Sequence, residues 1–143
     1  MSSRVSYRDQ FFYISNMQFS NLIEFGMEVA GKSAETDNER SFLHELRLRS
    51  EAYSPGYDLD IEEEFPSCEE RKFWARIFYD VAYLIFRREI GNHAELFWQH
   101  TVIGDAYSLA RMLTRSVQEE ELAWHPKTLA SIEAERFYNG NRM

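Results

Sequence analysis

Short polar side chains followed three residues later by a carboxylate punctuate this chain: Ser6 with Asp9, Thr36 with Glu39, Ser67 with Glu70, Asn92 with Glu95 and Ser116 with Glu119. Such a side chain accepts from a free N–H of the first helical turn while the carboxylate reaches back to the cap, so each pair marks a helix start. Gly31, Pro55, Gly91 and Gly140 stand where the helices between them should stop. No run alternates at period two for long enough to suggest a sheet. The fold expected is all-α: a single-domain helical bundle over 1–143 with four main helices, a split C-terminal helix and one long acidic loop at about 54–66.

The apolar spacing places these helices. The first is expected at about 7–30, with Phe11, Phe12, Ile14, Phe19, Leu22, Ile23, Phe25 and Val29 on a broad face. A second, at about 37–53, has the narrow stripe Phe42, Leu43, Leu46 and Tyr53 of a peripheral helix. The third, at about 68–90, is apolar on two faces, through Phe73, Trp74, Ile77, Phe78, Val81, Leu84 and Ile85 and through Tyr79, Tyr83, Phe86 and Ile90. That pattern belongs to a central helix or to one whose second face meets a partner. A fourth, at about 93–115, carries Gly104, Ala106 and Ala110, small enough for another helix to approach closely. The tail divides into a short helix near 117–124, a turn at His125 and Pro126, and a last helix to about Tyr138.

With 143 residues, 44% hydrophobic and 15% aromatic, the chain has the means to fold as one domain. A lone Cys68 excludes an internal disulfide and any zinc-ligand spacing, which fits a reducing compartment. The N-terminus lacks the apolar core of a signal peptide, and charges interrupt every apolar run before membrane-spanning length. A cytoplasmic protein with no membrane contact is expected.

Charge is distributed unevenly. Asp58, Asp60, Glu62, Glu63, Glu64, Glu69 and Glu70 fall within thirteen residues that hold no Lys or Arg, and the rest of the chain is close to neutral, with 17 acidic against 16 basic residues. A field of one sign attracts cationic partners and repels nucleic acid. Arg71, Lys72, Arg76, Arg87 and Arg88 gather on the third helix, yet beside such an acidic block they are expected to pair with carboxylates rather than phosphates.

Signatures of chemistry are missing. A di-iron bundle needs Glu-x-x-His pairs, whereas Ser41, Ile90, Phe97 and Leu122 stand three residues before the four histidines. His93 and His100 share a helix face, but no third ligand accompanies them. The run from Asp58 departs from a calcium-binding loop where geometry is strictest, with Glu63 in place of the turning glycine and Pro66 at the ninth position. Cys68 sits at a helix start beside Glu69 and Glu70, which oppose a thiolate. The chain also has no phosphate-cradling glycine loop and no Gly-x-Ser-x-Gly turn. No catalytic residue, metal or cofactor is expected.

Tyr57, Leu59, Ile61 and Phe65 interleave with the carboxylates, so the acidic loop offers apolar grip together with charge. Folding of these side chains back onto the bundle is the simpler alternative. The function expected is that of a non-enzymatic domain that masks a basic protein surface, as immunity and inhibitor proteins do against nuclease-like toxins, through Tyr57, Asp58, Asp60, Ile61, Glu62, Glu63, Glu64 and Phe65. Two other readings stand beside it. One is a ligand-binding or metal-binding bundle with a pocket among Trp74, Tyr79, Tyr83, His93, Trp98, His100 and Tyr107; the other is a homodimeric scaffold.

Overall fold

Ser3, Val5 and Tyr7 stand opposite Ile14, Phe12 and Gln10, and this shared face turns the N-terminus into a hairpin where a helix was expected. A computed structural model of the chain describes residues 2–87, 89, 96–128, 130–133 and 136. Strand β1 (Ser2–Tyr7) pairs antiparallel with β2 (Gln10–Ser15) and parallel with the short β3 (Asp58–Asp60), in the order β2-β1-β3. The all-α expectation is therefore wrong, and the fold is mixed α/β. Two local features hid the hairpin. Phe11 and Tyr13 put aromatics on the outer face too, so Phe11 to Ile14 reads as an unbroken apolar run. The two-residue turn, Arg8–Asp9, also lacks the Asn or Gly that such turns favour, and Arg8 takes a positive φ of 57° without being glycine.

Ser6 consequently lies in β1 and donates its hydroxyl to Asp58 at 3.3 Å instead of capping a helix. Ser15, whose Oγ accepts from Gln18 N at 3.2 Å, is the cap of the first helix, α1 (Asn16–Ser33), which runs on through Gly31. Thr36 and Glu39 form the expected reciprocal box at the start of α2 (Asp37–Ser50). The expected acidic loop is instead β3 followed by the single turn α3 (Ile61–Glu64), capped by Asp60. Ser67 caps α4 (Cys68–Phe86) as its spacing predicts. The last long helix, α5 (Leu96–Gln118), contains Ser116, which donates to Leu113 O at 2.6 Å and starts nothing. No separate helix forms at 117–124; a helical turn follows at 130–133, where Thr128 Oγ1 accepts from Ser131 N at 3.1 Å. Gly91, Asn92 and Gly140 lie outside the described residues.

The centre of the molecule is α4. Phe73, Trp74, Ile77, Phe78, Tyr79, Val81, Ala82 and Ile85 are buried around most of its circumference, which makes it a central helix. Ala106, Leu109, Ala110 and Leu113 of α5 are buried against this core. On another side α1 approaches so closely that a Cβ on Gly26 would lie 2.8 Å from the Phe78 ring. The sheet adds Val5, Ile14 and Leu59 to the same core.

Candidate functional site

Residues 57–65 alternate between core and surface. Leu59, Ile61 and Phe65 are fully buried, so their apolar surface is spent on folding and none of it grips a partner. Glu64 is also interior, only 6% exposed. It accepts from Tyr53 Oη at 2.8 Å, from Arg49 Nε at 3.2 Å, and from Tyr57 Oη. Burial, then this bonding to Glu64, raises the Tyr53 and Tyr57 phenols well above their ordinary range. The two rings pack at 4.2 Å and fasten the segment to the body. Glu70 joins the same interior, where burial and then Glu45 push its carboxyl up. Of the eight residues expected to bind a partner, Ile61, Glu64 and Phe65 are thus inside and Tyr57 is half-buried.

Asp58, Asp60, Glu62 and Glu63 remain at the surface. Arg4 bonds Asp58 at 2.5 Å and holds its carboxyl below the usual range. Asp60 accepts from Glu62 N at 2.9 Å. Glu119, Glu120 and Glu121, at the end of α5, extend this surface. Arg8 at the hairpin tip pairs with both Glu62, at 3.5 Å, and Glu119. Arg71 reaches Glu120 at 3.5 Å and also donates to Phe65 O at 2.8 Å. Lys72 lies between Glu69, at 3.5 Å, and Glu121, at 2.8 Å. Together these contacts make one acidic rim of Asp58, Asp60, Glu62, Glu63, Glu69 and the 119–121 trio, whose cations among the described residues are Arg4, Arg8, Arg71 and Lys72. Leu122, 88% exposed, projects beside the trio.

Spacing alone could not place the trio next to residues some fifty positions away. The three consecutive glutamates are legible in the sequence as a second, smaller acidic cluster; the side of the molecule on which they lie is not. Tyr7, beneath Arg8, is pushed up to about 12 by burial and then by Glu119. Burial, followed by Glu120, raises the Cys68 thiol, which leaves it a poor nucleophile.

Among the described residues of the expected aromatic pocket, Trp74, Tyr79 and Tyr107 are buried. Trp74 packs into the core against Phe65, Phe73 and Phe78, at ring distances of 6.0, 5.0 and 5.9 Å. Tyr79 and Tyr107 meet edge-on at 5.9 Å, while Tyr83 lies under the Arg87 guanidinium. His93 and the side chains of Trp98 and His100 lie outside the described residues. Among the described residues, no three His, Cys, Asp or Glu gather to hold a metal, and no helix is long and apolar enough to cross a membrane. No protein-family model, curated protein or solved structure matches the chain.

Proposed function

We propose that this chain is a cytoplasmic, non-enzymatic protein-binding domain whose acidic rim covers a basic patch on a partner, in the manner of an inhibitor or immunity protein against a nuclease-like toxin. The observation that carries the reading is the double pairing of Arg8 with Glu62 and Glu119, which joins two acidic segments distant in sequence into one surface. Eight carboxylates there outnumber four cations, so the rim keeps a net negative field that accelerates encounter with a cationic surface. Leu122 supplies an apolar point of contact inside that field, the role first assigned to Ile61 and Phe65.

The test is affinity capture from the native host lysate at low and moderate salt. The bait is the native chain or a variant carrying Glu63→Lys, Glu69→Lys and Leu122→Ser, three exposed positions outside the core. A basic protein held by the native bait, lost from the variant and weakened by salt is the expected result. Identical capture by two equally folded baits overturns the proposal.

A further inference from the structure

Arg111 and Arg115 lie one turn apart on α5 and, among the described residues, meet no carboxylate, although acidic residues outnumber basic ones 24 to 16 in the chain. Arg4, Arg8, Arg40, Arg49, Arg71, Arg76, Arg87 and Arg136 all form ion pairs. Like charges at this spacing weaken a helix, and among the described residues no carboxylate offsets that cost. The Arg111 guanidinium lies over the Tyr107 ring, 5.6 Å from its centroid, which limits where its fork can point.

Both arginines line two hollows. The larger, of 310 Å³, opens between β2 and α5, with Phe11, Phe12 and Met112 as apolar walls and Gln10 and Ser108 as polar ones. The smaller, of 120 Å³, lies among Thr114, Gln118, Tyr79 and His125. At roughly 30 Å³ per water it has the size of a few solvent molecules, enough for a tetrahedral anion. Its polar walls are held in place by the fold: Thr114 donates to Ala110 O at 2.8 Å and Gln118 to Trp124 O at 3.0 Å.

We propose that this cleft is a small-molecule site for an aromatic phosphate monoester, with the phosphate between the Arg111 and Arg115 guanidiniums and the ring in the hollow walled by Phe11, Phe12 and Tyr107. Two planar forks offer more donors than a single carboxylate can accept and match the oxygens of a phosphate dianion. Aromatic walls beside them select a flat group on that phosphate. A chain of net charge -8 repels anions at long range, so anion binding here requires a local site of this kind.

The experiment is an NMR and calorimetric titration of the full chain with phenyl phosphate, inorganic phosphate, benzoate and phenol. Phenyl phosphate is expected to bind about tenfold tighter than inorganic phosphate or benzoate, with phenol silent and shifts centred on Arg111, Arg115, Phe12 and Ser108. Arg111→Gln with Arg115→Gln should lose at least about tenfold in affinity while the circular dichroism spectrum is unchanged. A single Ser108→Trp, which fills the larger hollow from its rim, should block phenyl phosphate and spare inorganic phosphate, a readout that survives if the double variant fails to fold. No binding by the native chain at millimolar phenyl phosphate, or equal binding by the double variant, overturns the site. Equal affinity for phenyl and inorganic phosphate overturns its aromatic half.

Discussion

The acidic rim and the arginine pair of α5 treat charge in opposite ways. At the rim the carboxylates are numerous, but most are committed: Asp58 to Arg4, Glu62 and Glu119 to Arg8, Glu120 to Arg71, and Glu69 and Glu121 to Lys72. The two arginines of α5 both line open hollows and, among the described residues, pair with no acid. The density of a charge in sequence therefore differs from its availability at the surface. Exposed ion pairs add little stability, so the pairs of Arg4 and Arg8 can be exchanged for an external partner at small cost. The arginine pair has no carboxylate to give up among the described residues, only the contact of Arg111 with the Tyr107 ring.

The rim depends on the core beneath it, and the first way to break the comparison is to remove that support. Leu59→Ala or Ile61→Ala empties a fully buried site between sheet and helices, and either should lower unfolding free energy by about 2 to 5 kcal/mol in urea titration. A loss below about 1 kcal/mol would mean that the segment is a detachable loop after all. Glu63 and Glu64 then sharpen the contrast, one residue apart. Glu64→Gln takes the charged acceptor from Arg49, Tyr53 and Tyr57 and should cost about 1 to 3 kcal/mol. Exposed Glu63→Gln should stay within about 0.5 kcal/mol. Equal effects at the two positions would refute the interior role of Glu64.

How legible these features were in the sequence depended on whether their cause was local. Thr36 with Glu39 and Ser67 with Glu70 were readable because a cap is made by neighbours, and α4 was readable because two apolar faces have few explanations other than centrality. Ser6 with Asp9 had the same spacing and failed, since β1 pairs along its whole length with β2 in a hairpin whose turn lacks the usual signals, and in part with β3, some fifty residues away. The burial of Ile61 and Phe65 was only one of two outcomes open to the same pattern. The availability of Arg111 and Arg115 was out of reach altogether, because it depends on which described elements bring a carboxylate near them, and none does.

Titration separates interior from surface charge on α5 itself. Asp105 is an uncompensated carboxyl whose Oδ2 has no partner among the described residues, and burial pushes it up to about 7. Asp80 is pushed up to about 6, burial again outweighing Arg76. In both, the folded state holds its proton at pH values where the unfolded chain has lost it. Stability should therefore fall as pH rises from the ordinary carboxylate range to about 7 and level off above. Asp105→Asn should flatten the upper part of that slope in melting temperature measured against pH and leave the part below about 6 to Asp80. An unchanged slope would show that Asp105 is solvated like the rim acids.

The smallest effect concerns Arg8, which links the hairpin to both acidic segments from a backbone conformation that side chains disfavour. Arg8→Ala loses the ion pairs and keeps the positive φ; Arg8→Gly loses the same pairs and relieves it. The left-handed region costs an L residue about 1 kcal/mol or more, so the glycine variant should be the more stable of the two by about 1 kcal/mol in chemical denaturation. Equal stability would mean that the turn relaxes once the guanidinium is gone. In that case the contacts to Glu62 and Glu119 impose the strained turn, and the rim shapes the hairpin rather than the hairpin the rim.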